Sequence, residues 1–136
     1  LRRGGGLTIS LVAVIDEQIV GQIAFSPVVF GETQAEPPPL ALAPVGVAPQ
    51  HQGRGIGTSL IRAGIDEARR RGHPAIIVLG HAEYYPRFGF VPASKYGIAC
   101  PYPSPDENFL ALELQPGSLQ GVSGMVQYRP EFGRFP

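Results

Sequence analysis

The run from Val45 to Thr58, VGVAPQHQGRGIGT, constrains this chain more than any other stretch of it. A β-type apolar segment stops at Pro49, glycines recur at positions 53, 55 and 57, and helix-forming residues follow at once. A strand, a glycine turn and a helix start in that order aim several backbone N–H groups at one point, where the positive end of a helix also lies. Such a point attracts an anion, most often a phosphate. Gly53, Gly55 and Gly57 permit turns that a Cβ would block and let an oxyanion approach the main chain closely. Arg54 adds a charged donor and Gln52 an amide donor. The same pattern also occurs as a plain turn before a helix. Two known phosphate motifs do not fit it. The P-loop ends in Gly-Lys-Ser/Thr, and Gly57-Thr58 lacks the lysine. The dinucleotide fingerprint needs another glycine spacing and an acid about 20 residues further on, where this chain has only the apolar run Ala75–Leu79.

The rest of the chain reads as a mixed α/β order around that turn. Leu7–Ile15 and Ile19–Pro27 are rich in β-branched residues and predict a hairpin closed at Asp16-Glu17-Gln18. Val28–Pro39, with three consecutive prolines, predicts a loop. Leu40–Val47 predicts a strand whose Pro44 removes a ladder donor, so that this strand is irregular, bulged or unpaired there. Thr58–Arg71 predicts a helix with Leu60, Ile61, Gly64, Ile65 and Ala68 on one face, capped at Gly72 and stopped by Pro74. Ala75–Leu79 predicts a strand buried on both faces, Glu83–Phe88 a short helix with Pro86 in its first turn, and Phe109–Leu114 a last strand. Residues 118–136 are expected to wrap the surface. Strand, helix and strand from Leu40 to Leu79 form a right-handed βαβ unit with two parallel strands, whose carboxyl ends are the expected binding edge.

At 136 residues the chain is expected to be one domain, 1–136, with an ordinary apolar share of 43 %. Eleven basic residues balance eleven acidic ones, which argues against a nucleic-acid partner. Between His51 and Gly72 five arginines face two acids, and the local positive field suits a polyanionic ligand. Arg69, Arg70 and Arg71 equally suit the last turn of a helix, whose dipole they complement. One cysteine, Cys100, excludes an internal disulfide and fits a reducing compartment. No run approaches the length of a membrane span and no leader is visible, so a cytoplasmic setting without a membrane partner is expected. No His/Cys/Asp cluster has metal-ligand spacing.

The segment Val47-X-Pro49-X-X-Gln52-Gly53-X-Gly55-X-Gly57 resembles motif A of the GNAT superfamily of acyl-CoA-dependent N-acetyltransferases. Tyr84-Tyr85-Pro86-Arg87-Phe88-Gly89-Phe90 resembles the Tyr-X-X-X-Gly-Phe segment that follows that family's fifth strand, and the wording from Tyr84 onward is similar to a bacterial branch of predicted N-acetyltransferases. The resemblance covers most of Leu7 to Leu114. It implies a GNAT-like acyl-CoA N-acyltransferase fold, with a mostly antiparallel central sheet, a splayed parallel strand pair and flanking helices. It also implies a chain that begins without the family's usual first strand and helices, which normally wall the acceptor pocket. The exposed hairpin edge would then invite a second copy to form a homodimer.

The resemblance further implies acetyl-CoA as cofactor. Its diphosphate would lie on Gln52, Gly53, Arg54, Gly55, Ile56, Gly57 and Thr58, and its pantetheine arm along the backbone of Val45 and Val47, by strand addition. An N–H near Val45 would steady the thioester oxygen. Tyr85, four residues before Gly89, would protonate the departing sulfur. A phenol pKa of about 10 is close enough to that of a thiol for this. Tyr84 is the rival, and both tyrosines also suit plain packing. No base stands out among Glu32, Glu36, His81 and His51, and Leu40–Val47 contains no carboxylate. The expected function is direct transfer of an acetyl group to a small-molecule or peptide amine. The alternatives are a non-catalytic acyl-CoA-binding module and an α/β interaction domain whose glycine turn binds nothing.

Overall fold

The computed structural model describes residues 9–30, 37–80, 82–99, 106–119 and 124–128. Strands β1 (Ile9–Ile15) and β2 (Gln18–Phe30) form the expected hairpin. Its two-residue turn puts Asp16 at φ 52° and Glu17 at φ 68°, the left-handed pair that matches the twist of tightly joined strands. β3 (Leu40–Val47) follows, then helix α1 (Ile56–Arg70) and β4 (Ala75–Leu79). Two short strands, β5 (Val91–Pro92) and β6 (Ile98–Ala99), precede β7 (Phe109–Glu113) and β8 (Gly124–Tyr128). The sheet runs β5-β7-β4-β3-β2-β8-β6, with β1 on the other side of β2. β3 and β4 are parallel, as are β6 and β8, and the other pairs are antiparallel.

Alternation along the central strands sends apolar side chains into a core on each face of the sheet. Ile76 and Val78 of β4 join Ile23, Phe25, Leu40, Leu42, Leu110 and Leu112 beneath Leu60, Ile61, Ile65 and Ala68 of α1. Ala75 and Ile77 point the other way, to Val28, Ala41, Phe109, Ala111 and Val126. Burial of each large apolar side chain of α1 contributes about 1.5–3 kcal/mol, so the helix is held mainly by this face. Its C-terminus closes with Gly72 at φ 85°, while Gly72 N–H donates to Arg69 and His73 N–H to Ala68. These two bonds satisfy carbonyls that a helix end leaves open.

Four expectations are corrected. Val28–Phe30 is not loop; it continues β2 and pairs with Tyr128, Gln127 and Val126. The segment after Ser118 does not merely wrap the surface, because β8 within it is a sheet strand with Val126 fully buried. The helix begins at Ile56 and not Thr58, so that Gly57 lies inside its first turn. Among the described residues α1 is the one α-helix beside the sheet, and the expected second helix is a 3-10 turn at Tyr85–Phe88 with Pro86 at its start.

Candidate active site

Pro44 has the effect on β3 that its chemistry requires. The β2–β3 register runs Ile23 to Val45 and then Phe25 to Leu42, so Ala43 and Pro44 together oppose Ala24 in a bulge. On its other side β3 meets β4 only at Leu40–Ile76 and Ala41–Ile77. From Leu42 to Val47 the parallel pair stands open, while β4 stays paired with β7 along its whole length. Ala48 N–H donates to Val20 of β2 at 2.7 Å. Antiparallel alternation then turns the peptide groups of Val47 and Val45 away from β2 and toward the opening. The cleft therefore offers an unpaired strand edge at the carboxyl ends of two parallel strands.

At the head of this cleft lies the glycine turn. Pro49–His51 forms a single 3-10 turn, and Gly53 and Gly55 follow at φ 82° and 80°. A Cβ at either would meet nothing within 4 Å, so the glycines are required by backbone angle and leave the space before them open. Gly55 is the N-cap of α1 and supplies no side chain, and no acid stands in the first turn. The first intrahelical bond runs from Ser59 N–H to Gly55. The N–H groups of Ile56, Gly57 and Thr58 are thus left for an external acceptor. Gln52 is exposed but folds back on the turn, its amide Nε2 donating to Val47 C=O at 3.1 Å, where it braces the turn against β3. Arg54 is exposed.

The excess of arginines is largely spent elsewhere. Arg69 pairs with Asp66 at 3.6 Å, Arg70 with Glu67, and Arg71 with Glu67 at 2.6 Å. The hydrogen bonds from Arg70, then Arg71, hold the Glu67 carboxyl below the ordinary carboxylate range. Such exposed pairs add little stability. Their value is to the end of the helix, and the field at the glycine turn comes from its own amides and Arg54.

Tyr85 lies on the opposite wall, after β4 has ended at Leu79. Its ring lies against Gly80, where a Cβ would come within 2.4 Å of Cε2. It also packs edge-on to Phe90 at 5.6 Å between centroids. Burial first, and the Tyr84 hydroxyl second, push the Tyr85 phenol above its ordinary value of 10.0. Tyr84 stands 5.1 Å away at 80°, and its hydroxyl is 2.8 Å from Oγ1 of Thr58 in the first turn of α1. One hydrogen bond therefore joins the tyrosine segment to the glycine turn. His51 Nδ1 is buried with no partner among the described residues. Glu32, Glu36, His81 and Cys100 lie outside the described residues. The sequence reading missed His73, which is 4 % exposed and bonded through Nδ1 to Pro38 C=O at 2.7 Å. Nothing local marks a partner 35 residues away.

Residues 2–90 match the family model described as Acetyltransferase (GNAT) family. The chain belongs to this family. The GNAT fold is the one found, with its splayed parallel pair in a mixed sheet, as the two motifs led us to expect. Among curated relatives, the uncharacterized N-acetyltransferase YhbS of Escherichia coli strain K12 is 37 % identical over 137 residues, 99 % of this chain and 80 % of that protein. The uncharacterized N-acetyltransferase YjhQ of the same strain is 41 % identical over 119 residues, 83 % of this chain and 66 % of that protein. The crystal structure of YhbS in complex with CoA superposes with a TM-score of 0.90 at 34 % identity, covering 99 % of this chain and 74 % of that one. A GNAT family acetyltransferase from Brucella melitensis, in complex with acetyl-CoA, gives 0.75 at 37 % identity, covering 96 % and 72 %. Among the described residues, no helix is long and apolar enough to cross a membrane.

Proposed function

We propose that this GNAT protein transfers an acetyl group from acetyl-CoA directly to an amine on a small molecule or peptide. The observation that carries the reading is the set of amide donors at the start of α1, open at the mouth of a splayed strand pair. The site fits the cofactor on its own geometry. The N–H groups from Gly53 to Thr58 take the diphosphate, with Gln52 bracing them and Arg54 adding charge. The peptide group of Val45 and the N–H of Val47, turned to the cleft, take an extended amide-bearing arm as a strand edge takes another strand, while the Val47 C=O stays with Gln52. The CoA complex of YhbS and the acetyl-CoA complex of the Brucella protein support this cofactor as the ligand.

Bound acetyl-CoA supplies the activated acyl group. The chain supplies orientation and a proton. Tyr85, kept protonated by burial, holds a proton on Oη for the sulfur that departs. A backbone N–H near Val45, just past the bulge, steadies charge on the carbonyl oxygen. The whole chain acts as one domain, and the reading places the reaction in the reducing cytosol. Free-thiol release on mixing with acetyl-CoA and a panel of amines tests it. Thiol release that depends on an amine is expected. CoA that neither binds nor stabilises the fold overturns the reading.

One observation favours a second reading: β3, from Leu40 to Val47, carries no carboxylate to act as base. A non-catalytic acyl-CoA-binding module would bind CoA in calorimetry and release no thiol with any acceptor. We also infer a homodimer formed along β1, whose described partner is β2 alone and whose hairpin exposes Val12, Val14 and Ile19 at 50, 57 and 66 %. Light scattering that gives a monomer at high concentration removes this part.

A further inference from the structure

We propose that Tyr84 is a positioning residue of the amide cradle: its hydroxyl fixes Thr58, and through Thr58 it ties the cradle to the segment that carries Tyr85. The proposal rests on the reading of the cradle as a CoA site. Thr58 is the third residue of α1, and its N–H has no acceptor within the helix. A threonine there commonly turns its hydroxyl back onto the local backbone. This one bonds instead to Tyr84 Oη at 2.8 Å, across 26 residues of sequence. The χ1 of threonine is stiff, so fixing Oγ1 fixes the whole side chain beside the cradle. A hydroxyl has one donor and two acceptor sites, so Thr58 keeps capacity for a second partner.

Tyr84 is itself held from several sides. The Arg87 guanidinium lies 4.4 Å over its ring, and Arg87 Nε donates to its carbonyl at 2.8 Å. Its ring meets Phe88 edge-on at 5.4 Å and Tyr85 at 5.1 Å. A phenylalanine would satisfy all of these ring contacts. The hydroxyl is used by Thr58, so its duty is to the cradle and not to packing. Movement of the cradle toward or away from a ligand is passed by this bond to the wall that holds Tyr85.

Calorimetric titration with CoA of the wild type, Tyr84→Phe, Thr58→Val and the double variant is the test. Each single change is expected to weaken CoA about three- to tenfold, the worth of one hydrogen bond. The double variant should be no weaker than the weaker single, because both changes remove the same bond. Tyr84→Phe should raise KM for acetyl-CoA, while Tyr85→Phe lowers kcat. Wild-type affinity in Tyr84→Phe, or losses that multiply in the double variant, would overturn the proposal. If Tyr84→Phe does not fold, Thr58→Val alone decides, and wild-type affinity there overturns it. A wild-type protein that does not bind CoA defeats the functional reading itself. Wild-type binding with independent variants defeats only the role of Tyr84.

Discussion

Tyr85 and Tyr84 are adjacent residues given different work by their surroundings. Tyr85 is half-buried against Gly80 and Phe90, whereas the Tyr84 hydroxyl reaches Thr58. Burial, and then the neighbouring Tyr84, raise the Tyr85 pKa above 10.0, so the acid form holds throughout neutral pH. The basic limb of kcat that reports this proton is therefore expected above pH 10, and a pH–rate profile in saturating acetyl-CoA checks it. The stability term has the same direction. The folded chain holds this proton more tightly than the unfolded one, so its contribution is complete below the unfolded pKa of about 10 and is lost as pH rises through the folded value. Tyr85→Phe is expected to lower kcat about a hundredfold or more with CoA affinity within about twofold, since general acids contribute on that scale. At this scale the sequence is most legible where the signal is local. The glycine turn and the Tyr85 motif each lie within one short run. The Gln52 brace to Val47, the Tyr84–Thr58 bond and the His73–Pro38 bond join residues that only the fold brings together.

Elements were legible where periodicity was strong. β3 and β4 fall on the expected residues, because a run of apolar and β-branched residues bounded by proline or glycine has few other uses. The start of α1 was less legible because Gly57 is a poor helix former, and the helix enters through Gly55 at φ 80°. The packing of α1 on β2 depends on Gly64, where a Cβ would come within 2.3 Å of the fully buried Phe25 ring. Gly64→Ala would gain about 1 kcal/mol of helix propensity. The clash costs more, typically about 1–3 kcal/mol for overpacking, and Phe25 has no solvent to move into. A net loss of up to about 2 kcal/mol in urea denaturation is expected. The hairpin turn gives the opposite sign. Glu17 sits at φ 68°, which costs a non-glycine residue about 1–2 kcal/mol. Glu17→Gly recovers that strain against about 0.5–1 kcal/mol of added chain entropy. A small rise in melting temperature is expected, with no change in CoA affinity.

Across the whole molecule, β2 is the strand on which the halves of the sheet meet. Gly21–Pro27 pairs with β3 beside the cleft, and Val28–Phe30 pairs with β8. The sequence did not announce this arrangement. The residues of β8 follow a glycine-containing stretch and show no strong alternation, and their place depends on an edge that β2 offers far away in the chain. Binding at the cleft draws on the whole sheet, because β3 and β4 splay only while β2 and β7 hold their outer sides. A ligand specific to the folded form should therefore stabilise the molecule as a unit. At 100 times its Kd, CoA should add about 2.7 kcal/mol, and the melting temperature should rise by several degrees. A scan with increasing CoA checks this, with the logarithmic dependence of simple mass action.

The meeting of β2 with β8 also sets an order on synthesis. Val28, Val29 and Phe30 leave the ribosome long before Gly124–Tyr128 exists to pair with them. Until then the apolar end of β2 is a strand without the partner that covers it in the finished sheet. A premature stop anywhere ahead of Gly124 would make that exposure permanent and offer it to other copies and to proteases.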